Sequence, residues 1–274
     1  MKRILFWSLF LLTGFAQAQP FNNEWIDYNK TYYKFSVGSD GLYRISQSVL
    51  SGIGLGSTPA EQFQLWRNGE QVPLFTSVAT GAMGASDYIE FWGRMNDGRP
   101  DKVLYRNQDH QLNDRWSLET DTAVFFLTVN PTGNNLRLVN TANTLPTSAT
   151  PEPFFYHTAA LNHKQRINPG YAAIVGSAVY SSSYDQGEGW TSNDIGYNVT
   201  RTDNLTGLFP YTGTGANTPI LNLSATGNAL NPRTFSISVN STQLDLATMD
   251  YFDYVRRIVS VPTSLIASGT ASVA

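Results

Sequence analysis

Apolar and polar residues alternate along several short segments of the chain, a period of two that is typical of β-strands burying one face. Tyr33, Phe35 and Val37 alternate with polar residues, and the alternation resumes at Tyr43 after a Ser-Asp-Gly turn signal. We therefore predict a β-hairpin over residues 32–45.

Three later segments give further strands. Residues 63–75 predict a second hairpin, because Asn68-Gly69 is a strong signal for a tight hairpin turn. Residues 87–92 predict another strand. Residues 122–129 are nearly all apolar, which favours a central strand buried on both faces.

Short helices are predicted only near the first hairpin. Ser46 can cap a helix in which Val49 and Leu50 face inward, and Gly52 and Gly54 are predicted to end it. Thr58-Pro59 is a second capping signal.

The second half of the chain also predicts a β-structure. Residues 140–153 lack periodicity and carry three prolines, which indicates a linker. Candidate strands follow at 220–223, 234–239 and 256–261, with few helical signals between them, and this pattern is typical of a β-sandwich. Residues 270–274 look like a strand whose partner is still to come, so we expect the chain to be truncated there.

Together these patterns predict a mainly β fold in two units. The first is hairpin-rich with one or two short helices, and the second is an incomplete β-sandwich. The predicted boundaries are a signal peptide at 1–18, a β-rich domain at 19–145, a linker and aromatic connector at 146–200, and the sandwich at 201–274.

The first 18 residues have the pattern of a cleaved secretory signal peptide. Lys2 and Arg3 precede an apolar run, and Ala16-Gln17-Ala18 has the small residues of a cleavage site, so Gln19 would begin the mature chain. The run is shorter than the ~20 residues that span a bilayer. We expect an exported protein, secreted or on the cell surface, with no membrane span after cleavage.

Composition excludes several kinds of chemistry. The chain has no cysteine, so disulfides, thiol catalysis and cysteine-type zinc sites are unavailable to it. Removing Lys2 and Arg3 from 18 basic and 21 acidic residues leaves a net charge of −5. The basic residues are scattered, which does not favour nucleic-acid binding.

Residues 96–101, with the sequence NDGRPD, are the best candidate for a metal site. Asp97, Asp101 and a backbone carbonyl are hard oxygen ligands of the kind that calcium prefers, and Gly98 permits a tight turn. The full calcium-loop spacing is missing, and the same residues also suit a turn without metal. No other cofactor is predicted.

Residues 187–190, with the sequence GEGW, suggest an unusual backbone path or a close approach to another surface, because two glycines flank Glu188. One hypothesis is a loop in which Glu188 and Trp190 dock against a following domain. The alternative is a tight turn with Trp190 packed in a local core.

An ordered series of strings resembles the N-terminal, non-catalytic region of gingipain-like cysteine peptidases. The strings are NNEWIDY, SDGLYRI, FQLWRNGEQVPLF, DYIEFWGRMNDGRPDKVLY, SLETDTAVFFLT and SYDQGEGW. They are especially similar to the sortase-like members of the Bacteroidetes type IX secretion system. The resemblance covers about residues 22–274, and its most specific part is 87–128.

The resemblance implies that a caspase-like catalytic domain with a cysteine nucleophile follows such a region. No catalytic residue is carried over, because the chain has no cysteine that His110, His157 or His163 could activate. The expected role is a scaffold, with the downstream catalytic domain and secretion-system components as partners. The alternative is a stand-alone surface-binding or adhesion module for glycans. Its aromatic side chains, among them Trp66, Trp92, Trp116, Tyr88 and Tyr105, would then stack on sugars.

Overall fold

The computed structural model describes residues 23–144, 148, 150–175, 177–180 and 184–274. The predicted signal peptide and part of the predicted linker lie outside the described residues. Within them the chain is mainly β, which confirms the predicted fold class. It separates into a first unit, residues 23–94 with 123–141, and a second unit, residues 95–122 with 142–274.

The first unit contains seven strands and one short helix among its described residues. They are β1 (Tyr33–Val37), β2 (Gly41–Ser46), α1 (Gln47–Gly52), β3 (Phe63–Arg67), β4 (Glu70–Val72), β5 (Phe75–Thr76), β6 (Tyr88–Gly93) and β7 (Ala123–Val129), with a 3₁₀ turn at Ala60–Gln62.

These strands form two antiparallel sheets, in the orders β1-β7-β3-β4 and β2-β6-β5. The predicted hairpin at 63–75 is confirmed, since β3 pairs with β4 and both turn residues, Asn68 and Gly69, have positive φ. The predicted central position of 122–129 is also confirmed, because β7 lies between β1 and β3.

The predicted hairpin over 32–45 is wrong in its pairing. Both strands form, but β1 pairs with β7 and β2 pairs with β6. Residues 38–40 carry the chain from one sheet to the other. The inner faces of both strands are aromatic, and they bury more apolar surface by facing a common core than by lying side by side.

That common core is the main apolar cluster of the first unit. The Phe91 ring is fully buried, with its centroid 5.4 Å from that of Phe125 and 5.7 Å from those of Phe35 and Tyr43. These contacts join β6 to β7, β1 and β2, so the two sheets share one aromatic layer.

Helix α1 follows Ser46, as predicted, but Ser46 makes no side-chain cap hydrogen bond. Leu50 is fully buried and Val49 is 54 % exposed, so the prediction that both face inward is wrong for Val49. A helix of six residues places only one of two successive side chains on its buried face.

The second unit begins with 3₁₀ turns at Arg99–Leu104 and Gln108–His110. Its strands are β8 (Arg166–Asn168), β9 (Ala172–Val175), β10 (Ser177–Tyr180), β11 (Gly189–Thr191), β12 (Asp203–Leu205), β13 (Ile220–Thr226), β14 (Arg233–Val239), β15 (Thr242–Met249), β16 (Tyr254–Ser260) and β17 (Ala271–Val273), with another 3₁₀ turn at Thr263–Ile266.

The strands predicted near 220, 234 and 256 are confirmed as β13, β14 and β16. One sheet has the order β12-β17-β14-β15, and β13 pairs with β16. The strand expected at 270–274 to lack a partner lies between β12 and β14 instead. Its partner precedes it in the chain, which the local pattern does not reveal.

The units differ from the predicted domain boundaries. Residues 95–122 lie inside the predicted first domain but cluster with 142–274. Residues 166–191, in the predicted connector, contain four short strands. No helix among the described residues is long and apolar enough to cross a lipid bilayer.

Strand β6 gives a test of this packing. Replacing the buried Phe91 with alanine should lower the free energy of unfolding of the first unit by about 3–5 kcal/mol, since it removes an aromatic ring from a closed core. The matched variant Trp92→Ala changes a side chain that is 53 % exposed and should cost less than about 1 kcal/mol. Urea unfolding followed by circular dichroism measures both, and similar losses would contradict the assigned faces of β6.

Candidate functional site

All four candidate site residues belong to the second unit. Asp97 and Asp101 lie in or beside the 3₁₀ turn that begins at Arg99, and Glu188 and Trp190 lie at the start of β11. The fold brings the segment 95–122 against the segment 184–191, where a set of hydrogen bonds joins them.

Asp101 is buried and holds the loop that precedes β7. Its carboxylate accepts a hydrogen bond from the Ser117 hydroxyl at 3.1 Å and one from the Leu118 backbone N–H at 2.9 Å. The Ser117 hydroxyl in turn accepts the Glu119 N–H at 3.1 Å. A buried carboxylate is stable only when its oxygens are paired in this way.

Asp97 closes its own turn. Its carboxylate accepts hydrogen bonds from the Arg99 backbone N–H at 3.1 Å and from Arg99 Nε at 2.7 Å. Gly98 is required by close approach, since a Cβ there would lie 2.5 Å from the Trp116 carbonyl oxygen.

These contacts bear on the calcium hypothesis. The protein's own donors engage the carboxylates of both Asp97 and Asp101, which favours a structural role for the pair. Among the described residues no three Asp, Glu or His side chains are grouped so that they could hold a metal ion. The calcium site stays a prediction.

The backbone of the GEGW segment is unusual, as predicted. Gly187 has φ of 72° and Gly189 has φ of 149°. A Cβ at Gly187 would lie 2.2 Å from Thr226 Oγ1, so the segment also passes close to β13. Only glycine combines these backbone angles with so little space.

Glu188 is tied to the 95–122 segment through its backbone. Its carbonyl accepts a hydrogen bond from the Tyr105 hydroxyl at 2.7 Å, and its carboxylate accepts the Asp185 N–H at 3.0 Å. Burial raises the pKa of Glu188 above its usual range, and the charge of Asp185 adds to the rise, although the hydrogen bond from the Asp185 backbone lowers it.

Trp190 is anchored in the same way. Its indole N–H donates to the Ser117 carbonyl at 2.8 Å, and its own carbonyl accepts from Asn113 Nδ2 at 3.0 Å. The Lys164 ammonium lies 5.1 Å from the Trp190 ring and 4.8 Å from the Trp116 ring. We call Asp101, Tyr105, Ser117, Glu188 and Trp190 the loop network.

The loop network shows where Glu188 and Trp190 make contacts within their own unit. These contacts agree with the hypothesis of Trp190 packed locally. Docking against a following domain stays a prediction.

One ionic cluster was not predicted from the sequence. Arg201 donates two hydrogen bonds of 3.0 Å to the Asp203 carboxylate, and His163 Nε2 lies 3.0 Å from the same group. Burial opposes ionisation of Asp203, but Arg201 and His163 together outweigh it and hold its pKa below the usual range. The Arg-x-Asp spacing at the start of β12 is the signal for the first pair, and nothing in the sequence indicates His163.

The aromatic residues expected to stack on sugars differ in their exposure and in their contacts. Tyr105 is buried, Trp66 stacks on Trp25, and Tyr88 is covered by the Arg44 guanidinium. Trp92 is more than half exposed, and Trp116 lies under Lys164.

Tyr105 gives the loop network a testable dependence on pH. Burial raises the pKa of its hydroxyl far above the usual value of about 10, with smaller contributions from the charges of Glu188 and Asp101. The folded state therefore keeps the proton where the unfolded chain loses it, so stability should fall as pH rises above about 10.

Tyr105→Phe should lower the free energy of unfolding at pH 7 by about 1 kcal/mol, through loss of the hydrogen bond to Glu188. The deficit should shrink above about pH 10, because the variant has no hydroxyl to ionise on unfolding. Denaturant unfolding at pH 7 and pH 11 measures it, with Tyr197→Phe, 94 % exposed, as the control. A deficit that is the same at both pH values would contradict the assignment.

Comparison with known proteins gives a weak structural similarity. No protein-family model matches the chain, and no curated protein matches it in sequence. Among solved structures, the crystal structure of dimeric latent PorU from Porphyromonas gingivalis is similar with a TM-score of 0.43 and 12 % sequence identity. The match covers 88 % of this chain and 22 % of that chain, so this chain spans about a fifth of the length of PorU.

Proposed function

We propose that this chain is the non-catalytic, N-terminal scaffold region of an exported gingipain-like cysteine peptidase or type IX secretion sortase. The complete protein then cleaves peptide bonds with a cysteine in a downstream catalytic domain. The chain holds the catalytic domain in position. Either the chain or the catalytic domain contacts other components of the secretion system. The observation that carries the proposal is that the residues of the resembling strings pack on one another.

In the first unit the strings form the sheets and their aromatic contacts. Trp25, from NNEWIDY, stacks on Trp66, from FQLWRNGEQVPLF, with ring centroids 5.4 Å apart, and lies 5.4 Å from Phe126. Tyr43, from SDGLYRI, stacks on Phe91, from DYIEFWG, at 5.7 Å. Contacts among the residues of these strings indicate that the strings form a structural framework.

In the second unit the strings form the loop network. Tyr105 ends the DYIEFWGRMNDGRPDKVLY string and donates a hydrogen bond to Glu188 of SYDQGEGW. Ser117 begins SLETDTAVFFLT and accepts a hydrogen bond from Trp190 of SYDQGEGW. Polar side chains of the strings are thereby engaged in holding loops. This use supports a scaffold rather than a reaction centre in these residues.

The proposal is tested with the complete gene product and with the mature chain alone. The reading frame beyond codon 274 should encode a caspase-like domain with a His-Gly pair and a cysteine. The complete protein, exported and beginning at Gln19, should cleave an unfolded substrate such as casein. Residues 19–274 alone should cleave nothing, because cysteine is absent from them.

Two results would overturn the proposal. One is a gene product without a cysteine-bearing catalytic domain. The other is casein cleavage by residues 19–274 alone that survives purification to homogeneity.

A cluster of exposed aromatic rings in the second unit favours a second candidate function, glycan binding by a surface module. Phe155, Tyr156 and Phe209 are 68 %, 82 % and 65 % exposed. Phe154 stacks on Tyr211 at 5.2 Å, and Phe155 lies 6.1 Å from Phe209. Contiguous exposed rings of this kind mark interaction surfaces and can stack on sugar faces.

Glycan binding predicts saturable binding of the mature chain to members of a glycan array. Tyr156→Ala should weaken that binding about tenfold, as the loss of one stacking ring costs on the order of 1 kcal/mol or more. Tyr197→Ala, an equally large change at an exposed residue outside the cluster, should leave it unchanged. A flat array would reject this second function.

A further inference from the structure

The first unit contains a groove of about 570 Å³ between β1 and β2. Its lining is mainly apolar and aromatic. The apolar and aromatic lining includes Tyr33, Phe35, Tyr43, Ile45 and Val49.

Both strands that border the groove are edge strands. β1 is outermost in the order β1-β7-β3-β4, and β2 is outermost in β2-β6-β5. Successive residues of each strand line the groove, 33–35 of β1, with Tyr32 just before them, and 43–45 of β2. Neighbouring side chains point to opposite faces, so a strand lines a groove continuously only where its edge borders it.

An edge of this kind presents backbone N–H and C=O groups that can pair with another strand. A strand that pairs with β1 continues its two faces, because cross-strand neighbours share a face. The inner face of β1 carries Tyr33 and Phe35, and its outer face carries Lys34 and Ser36. An added strand would therefore place alternate side chains beside aromatic rings and beside Lys34.

The charge of the groove determines which side chains an added strand would favour on its outer face. Lys34 and Arg44 both line it and both are exposed, and no carboxylate does so among the described residues. Arg44 is held in place by Glu90, at 2.7 Å, and lies 3.7 Å from the Tyr88 ring centroid. Lys34 lies on the outer face of β1, where it would be the cross-strand neighbour of a residue in an added strand. Acidic side chains complement this rim.

We propose that the groove binds an extended peptide segment of another polypeptide, in which apolar and acidic residues alternate, by strand addition to β1. Backbone hydrogen bonds to the β1 edge supply affinity. Apolar side chains enter the groove beside Phe35 and Ile45, and acidic ones face Lys34. This peptide-binding activity is independent of the scaffold function proposed above and holds whether or not a catalytic domain follows.

The test uses the mature chain and a labelled heptapeptide that alternates valine or isoleucine with glutamate, followed by fluorescence anisotropy. We expect saturable binding that weakens with added salt. A peptide with lysine in place of glutamate should bind more weakly, and one N-methylated along the edge that faces β1 should not bind.

Variants locate the binding in the groove. Val49→Glu puts a carboxylate into the apolar lining and should weaken binding about tenfold or more. Lys34→Glu reverses the cross-strand charge pair and should weaken it about fivefold. The matched control Val139→Glu makes the same change at a first-unit residue that is 78 % exposed and outside the groove lining, and should stay within about twofold.

Four outcomes would overturn the proposal. Absence of binding at millimolar peptide concentration would mean that Lys34 only opposes unwanted strand pairing at the β1 edge. Equal binding by the lysine peptide, or binding unchanged in Val49→Glu, would place the contact elsewhere. Self-association in light scattering that Val49→Glu abolishes would make a second copy of the chain the occupant. Circular dichroism of each variant confirms that a loss of binding is not a loss of fold.

Discussion

The packing of Phe91 against Phe35, Tyr43 and Phe125 is the contact on which the first unit depends. A chain without cysteine has no disulfide to close its loops, so burial must hold its sheets together. One aromatic layer joins strands from both sheets. Packing on this layer places β1 and β2 in different sheets. The groove lies between the edges of these two strands.

The second unit is stabilised by a different balance between apolar burial and polar contacts. Among the described residues, its apolar cluster of buried side chains is small and comprises Val239, Val261, Ile266 and Ala271. The loops at 95–122 and 184–191 are held instead by buried polar contacts, in which Asp101, Tyr105 and Trp190 each have partners. Such a network stabilises only when every member is satisfied, so its sequence requirements are strict.

Local pattern was sufficient for most strands and for the tight hairpin turn at Asn68-Gly69. It failed where a strand's partner is distant in sequence. Tyr33–Val37 reads equally well as half of a hairpin or as an edge beside β7, because alternation reports the buried face and not the neighbour. Within the site, the glycines around Glu188 predicted a special backbone. The partners of Glu188 and Trp190, which are Tyr105 and Ser117, lie 83 and 73 residues away and leave no local signal.

The resembling strings have structural roles in both units, and we propose that any peptide-bond chemistry belongs to residues beyond this chain. The most direct measurement is iodoacetamide labelling of the active complete protein, followed by peptide mapping and an activity assay. We predict loss of cleavage with a single essential adduct outside residues 1–274, which contain no cysteine. Full activity after complete alkylation of every thiol would contradict the account.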